Sequence, residues 1–201
     1  MVSGKPILVF DLDDTLIYTS VRDSSTIDAI TINMKLLSIL YRAKEMGCMI
    51  LLLTNNRNDV YTYRGKEGGF VDIACSELLS AYNAIESASK PHSRLTKRVF
   101  DRILTAEKTE DRQYDHATPV KSVVDVRHML KLGLVPLDTS RIFFFDDLAS
   151  HQLCKQSTFI HITPPFNRGY DETNYTPILS ALRRIERGTM KKKLKESHHG
   201  M

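Results

Sequence analysis

Pro6-Ile7-Leu8-Val9-Phe10-Asp11-Leu12-Asp13-Asp14-Thr15 is the stretch on which the fold turns. Its first half is an apolar run of strand length, with β-branched and aromatic members and no helical period. Its second half puts carboxylates where a buried strand ends. In an open parallel sheet that end faces the crevice in which ligands bind. If the chain stays extended past Asp11, the Asp13 side chain lies on the same side, roughly 6–7 Å away. Two carboxylates that close together need a bridging cation or a shared proton. A helix cap is the plainer reading of Asp and Thr at such a place, so the rest of the chain has to decide.

Two further apolar runs end in polar groups. Cys48-Met49-Ile50-Leu51-Leu52-Leu53 reads as a strand covered on both faces and stops at Thr54-Asn55-Asn56. Arg141-Ile142-Phe143-Phe144-Phe145 reads likewise and stops at Asp146-Asp147. Between the first two runs, Met34, Leu37, Leu40, Tyr41 and Met46 recur at helical spacing, and Gly47 supplies a stop. Strand, helix, strand implies a parallel pair with a right-handed crossover, which brings Thr54 beside Asp11. Residues 17–31 are polar and turn-rich, too short for a large lid but long enough for a flap, and 57–69 reads as a loop with a short helical piece. Helices are expected over 71–88, 122–132 and 175–187, with strands over 99–105 and 158–162. Lys121 opens the second of these helices, where the helix dipole disfavours a cation unless an anion lies nearby.

These elements predict an α/β fold of three layers, Rossmann-like, around a central parallel sheet. At 201 residues one domain is expected, over 1–188, with a modest insertion over 57–119 and a basic, disordered tail over 189–201. Hydrophobic residues at 42% and charged residues at 26% suit a globular chain, and the net charge of +4 comes partly from Lys191 to Lys195. A nucleic-acid face is therefore not required. Cys48, Cys75 and Cys154 are odd in number and lack metal-ligand spacing, which predicts reduced thiols in an intracellular protein, cytoplasmic or nuclear. No signal peptide is read at the start, and no apolar stretch approaches a membrane span.

Carboxylates from two strand ends form a hard oxygen site suited to Mg²⁺, which prefers octahedral oxygen coordination and keeps waters and phosphate oxygens as further ligands. The ordered set Asp11-Leu12-Asp13-Asp14-Thr15, Thr54, Lys121 and Asp146-Asp147 resembles the motifs of the haloacid-dehalogenase-like (HAD) superfamily. Within it the chain is most similar to the NLI-interacting-factor-like phosphatases, related to the phosphatases of the RNA polymerase II carboxy-terminal domain, with forms in large DNA viruses. Those enzymes usually carry Glu at the position of Asp14 and commonly Asn at that of Asp147.

The resemblance implies a HAD fold with little or no cap and a Mg²⁺-dependent phosphomonoester hydrolase working through an aspartyl-phosphate. Asp11 would be the nucleophile, and Asp13 the acid and then the base, which requires a pKa above the ordinary value of about 3.9. Thr15, Thr54, Asn55 and Lys121 would bind the phosphoryl group, and Asp11, Asp13, Asp146 and Asp147 would hold the metal. A phosphoprotein carrying phosphoserine, phosphothreonine or phosphotyrosine is the expected substrate, because no insertion is long enough for a full cap. A sugar or nucleotide phosphate is the alternative, as is an inactive phosphoprotein-binding scaffold. A receiver-type phosphoacceptor domain uses similar residues, but places its acidic pair before the acceptor Asp.

Overall fold

The computed structural model describes residues 4–91, 94–105, 121, 123–132, 137–148, 158–162, 165–166 and 174–198. Strand β1 (Ile7–Phe10) lies at the centre of a five-stranded sheet. It pairs in parallel with β4 (Met49–Leu53) on one side and with β8 (Ile142–Asp146) on the other. Strand β7 (Arg102–Leu104) extends the sheet beyond β4, and β9 (Thr158–His161) extends it beyond β8. All five strands are parallel, as expected for β1, β4 and β8 from their uninterrupted apolar runs.

The two faces of the sheet are covered by different helices. Leu8, Phe10, Ile50, Leu52, Phe143 and Phe145 point to one core, which α1 (Met34–Glu45), α2 (Phe70–Ser89) and α4 (Thr176–His198) pack against. Ile7, Val9, Leu51, Leu53, Ile142 and Phe144 point to the other, with Val126 and Met129 of α3 (Val123–Met129). Alternate residues of one strand thus enter opposite cores, the period of two that a pleated strand imposes. Phe10 and Phe145, opposite each other in register, stack with ring centroids 4.5 Å apart. Each helix crossover returns the chain to the same edge of the sheet, so the residues following β1, β4 and β8 emerge together.

A second, four-stranded sheet runs in the order β2 (Ile17–Asp23), β3 (Thr26–Ile32), β5 (Val60–Tyr63), β6 (Lys66–Gly69). Residues 17–31, read as a turn-rich flap, form a hairpin of β2 (Ile17–Asp23) and β3 (Thr26–Ile32), whose turn is held by Ser25 N–H donating to Asp23 Oδ1 at 2.8 Å. Residues 57–69, read as a loop with a helical piece, instead contain a hairpin of β5 (Val60–Tyr63) and β6 (Lys66–Gly69). Arg64 and Gly65 at its tip have φ of 52° and 75°, the left-handed pair that matches the twist of a two-residue hairpin. Val60-Tyr61-Thr62-Tyr63 is a strand-forming run whose signal was masked by the charges and glycines around it.

The span 57–119, read as a modest insertion, contributes to the main body of the fold through its described residues. Its described residues include α2, which carries Ala74, Leu78 and Tyr82 into the main core, and β7, which belongs to the main sheet. The sequence also placed the end of the last helix at Arg187 and a disordered tail beyond it, whereas α4 stays helical past Gly188 to His198. Met, Lys, Leu and Glu after Gly188 are good helix formers, and one internal glycine costs only about 1 kcal/mol. Cys48 and Cys75 are free thiols; Cys154 lies outside the described residues. No helix among the described residues is long and apolar enough to cross a membrane.

Asn33 ties three of these parts together. It is 2% exposed and caps α1 by accepting from Leu36 N–H at 3.0 Å. Its amide donates to Thr15 O at 3.1 Å, and its oxygen accepts from Tyr175 Oη at 2.6 Å. Asn33→Ala removes a helix cap and the two buried side-chain bonds to the Thr15 carbonyl and the Tyr175 hydroxyl. A loss of about 2–4 kcal/mol is expected, seen in calorimetry as a Tm lower by roughly 5–10 °C.

Candidate active site

The sheet ladder continues one step past β1, because Asp11 N–H donates to Phe145 O at 2.9 Å. The backbone then turns: Leu16 and Ile17 N–H both donate to Leu12 O, at 2.9 and 3.0 Å, and Asp14 takes a φ of 50°. Asp14 O accepts from Phe166 N–H at 2.6 Å, which braces this unusual conformation for a residue with a side chain. Asp11 therefore stays at the strand end, 9% exposed, while Leu12 and Leu16 are sealed in the core.

Lys121 is 3% exposed, and its ammonium sits between two carboxylates, 2.5 Å from Asp11 Oδ1 and 2.6 Å from Asp146 Oδ2. This is the anionic partner that its awkward position before α3 called for. Burial works to lower its pKa, but the charges and hydrogen bonds of Asp11 and Asp146 outweigh it, so the ammonium is held charged.

Asp146 also accepts from Leu148 N–H at 2.9 Å, which orients its carboxylate. Oxygens of Asp11, Asp146 and Asp147 lie within 4.8 Å of one another. Three carboxylates against one lysine leave this corner negative. Burial above all, with the charge of Asp146 adding to it, pushes the Asp11 carboxyl well above its usual range against the pull of Lys121. Asp147 is raised for the same two reasons. A closely spaced set of oxygen donors with unbalanced negative charge fits a hard divalent cation such as Mg²⁺.

Asp13 lies apart from that trio. Its carboxylate accepts from the side-chain amide of Asn56. Burial drives its pKa up to about 6, against the Asn56 hydrogen bond and with help from Asp14. Thr54, 1% exposed, follows β4 as the register requires, and its Oγ1 accepts from Asn56 N–H at 3.1 Å. Asn56 thus links Thr54 to Asp13. Asn55 is half-buried in the same loop. Thr15 is fully buried, and its hydroxyl lies 3.4 Å from Asp147 Oδ1, so it faces the acidic corner from below.

Three further residues brace the site, and of these the sequence offered only His161, together with His151, as a histidine near the crevice, with a structural role favoured. His161 at the end of β9 bonds through Nε2 to Asp147 O at 2.7 Å and steadies that residue's backbone. Asn33 and Tyr175 support Thr15 from behind. Of these two, Asn33 carried a local signal, as a capping residue directly before a helix. His151 lies outside the described residues.

No curated protein matches the chain. Among solved structures, one titled "Structure of Pnkp1/Rnl/Hen1 complex" aligns at a TM-score of 0.42 and 19% identity, over 82% of this chain and 47% of that one. The chain thus spans about half the length of that relative, and the likeness is too distant to carry a functional reading. A family model for NLI interacting factor-like phosphatase matches residues 6–193, nearly the whole length. The chain belongs to the NLI interacting factor-like phosphatase family.

Proposed function

We propose that this phosphatase hydrolyses phosphomonoesters of proteins with Mg²⁺, through a phosphoenzyme intermediate on Asp11. The observation that carries the reading is the buried bridge of Lys121 to Asp11 and Asp146 at the carboxyl edge of the sheet. In the first step an Asp11 carboxylate oxygen forms a bond to phosphorus as the bond to the leaving oxygen breaks, and Asp13 gives that oxygen its proton. In the second step water attacks phosphorus, Asp13 takes the water's proton, and the Asp11–phosphorus ester opens to release phosphate. Splitting one hard displacement into two is the benefit of a covalent route.

The chain's own groups divide the remaining work. Lys121 neutralises Asp11 and a phosphoryl oxygen, while Thr54, Thr15 and Asn55 offer hydrogen bonds around the phosphoryl group. The raised pKa of Asp13 favours an acid that still holds its proton near pH 6. Asn56 keeps that carboxyl aimed into the crevice. Asp11, Asp146 and Asp147, with the backbone carbonyl of Asp13, are the groups that would hold the cation. When bound, Mg²⁺ supplies charge neutralisation for the transferring phosphoryl oxygens.

Turnover of p-nitrophenyl phosphate should require added Mg²⁺, vanish in excess chelator, and fall by about 10³-fold or more in Asp11→Asn. Persistent turnover in Asp11→Asn would exclude the phosphoenzyme route. Phosphopeptides should be better substrates than sugar or nucleotide phosphates, and the reverse order would reassign the substrate class.

Lys121→Met should lose activity and also stability. Removing one member of a buried charge cluster costs about 3–5 kcal/mol, measurable by urea unfolding in chelator at pH 8. Asp13→Asn should lose activity but gain stability. Because the folded-state pKa of Asp13 is raised from 3.8 to about 6, its ionised form costs stability above pH 6, and the cost fades as pH falls towards 4. The variant should therefore exceed the natural chain by roughly 2 kcal/mol at pH 8 in chelator, with the gap closing near pH 4.

A further inference from the structure

Residues 54–58 lead from β4 towards β5, and this short loop is anchored at both ends. Thr54 N–H donates to Leu104 O of β7 at 3.1 Å, which carries the ladder of the main sheet one step past β4. At the other end, Asn58 Oδ1 accepts from Val71 N–H at 2.9 Å and from Asp72 N–H at 3.4 Å, in the first turn of α2. Gly69 leaves room for this contact, since a Cβ there would collide with the Asn58 side chain. Asn56 lies midway, two residues from each anchor, and is half-buried.

From that fixed position Asn56 makes two bonds. Its N–H donates to Thr54 Oγ1 at 3.1 Å, and its side-chain amide donates to Asp13 Oδ2. The first occupies a lone pair of the Thr54 hydroxyl and leaves the hydroxyl hydrogen to be donated elsewhere. The second leaves Asp13 Oδ1 without a hydrogen-bond donor among the described residues. Asp11 and Asp146 are held in another way, by the Lys121 ammonium. A cationic partner favours the anion. A neutral amide bonds to a carboxylate oxygen and also to the carbonyl oxygen of the protonated acid, so it holds the group through both states.

Resting on the phosphoenzyme reading above, we infer that Asn56 is the positioning residue of the acid–base: by holding Asp13 Oδ2, it makes Oδ1 the atom that exchanges the proton. In the first step the phosphorus–oxygen bond breaks with its electron pair remaining on the leaving oxygen, which takes the proton from Oδ1. In the second step the attacking water gives a proton to Oδ1 as its oxygen bonds to phosphorus. Asn56 acts through Asp13 and not on the phosphoryl group.

The test compares p-nitrophenyl phosphate with phenyl phosphate in the full chain with Mg²⁺. p-Nitrophenolate leaves readily without a proton, whereas phenolate, about as basic as a tyrosine side chain with its pKa of about 10, needs one. In Asn56→Ala, kcat on phenyl phosphate should fall about tenfold further than kcat on p-nitrophenyl phosphate. Asn56→Leu, similar in size and without a donor, should show the same preference, which separates the bond from the volume. Both variants keep the backbone N–H that bonds to Thr54, so inhibition by inorganic phosphate should weaken by less than about threefold. The residual turnover of Asp13→Asn should show the preference more strongly, and adding Asn56→Ala to it should cost less than about threefold more, because the two residues act as one unit. In nitrogen-15 spectra of the natural chain in chelator, the Asn56 side-chain amide signal should move on Asp13→Asn.

An equal loss on both esters, no loss on either, or a loss of phosphate affinity that accounts for the effect overturns the inference. So does a further full tenfold loss when Asn56→Ala is added to Asp13→Asn, and so does an amide signal that stays in place. In each of these cases turnover that depends on Asp11 still stands. Absence of turnover by the natural chain rejects the catalytic reading and this inference with it, and Asp13→Asn without a leaving-group preference rejects Asp13 as the acid and Asn56 as its positioner.

Discussion

A lysine buried between two aspartates governs the architecture of this crevice. Taking one ammonium and two carboxylates out of water is costly, and the cost is met only when geometry is close and the remaining polar atoms are satisfied. Contacts of 2.5 and 2.6 Å from Lys121 to Asp11 and Asp146, with Leu148 N–H on the second oxygen of Asp146, meet that condition. One further carboxylate, Asp147, then stands in excess charge. A site that gathers three carboxylates about one ammonium is unfavourable for folding and could hold a divalent cation. The same arrangement weakens the free protein and makes it receptive, the trade that functional sites commonly make.

The sheet makes this geometry possible at small cost. Its strands are parallel and their crossovers return to one edge, so β1, β4 and β8 deliver their following residues to a single crevice without long loops. The side-chain alternation that sends Leu8 and Phe10 to one core and Ile7 and Val9 to the other fixes how the chain leaves the strand. Stacking of Phe10 on Phe145 locks the register of β1 against β8 immediately before the aspartates. A slip of one residue there would exchange the two cores and turn the acidic groups away from one another.

Behind the crevice, buried polar residues hold the loop in place. Asn33 satisfies the helix cap, the Thr15 carbonyl and the Tyr175 hydroxyl at once, and Asn56 joins Thr54 to Asp13. Such networks are stabilising only when complete, so each member is sensitive to loss. They also connect α1 and α4 to the loop that carries Asp11 and Asp13.

Much of this was legible in the chain because its signals are local. Unbroken apolar runs ending in Asp, Thr or Asp-Asp announced buried parallel strands with polar ends, and the awkward placement of Lys121 before a helix implied a nearby anion. The β5–β6 hairpin escaped notice because its strand-forming residues are few and its turn depends on the backbone of Arg64 and Gly65. The length of α4 was underestimated because its apolar face ends near Ile185 and the basic run that follows was read as a disordered tail. By itself the sequence determined the order of the main-sheet strands and of the helices, and the residue types at the ends of β1, β4 and β8, since periodicity and propensity act over a few neighbours. Only the tertiary structure decided which carboxylates share Lys121, that Asn56 bonds to Asp13, and that Asn33, Tyr175 and His161 support the site. Those pairings join residues far apart in the chain, and only the packing of the sheet and its helices brings them within hydrogen-bonding distance.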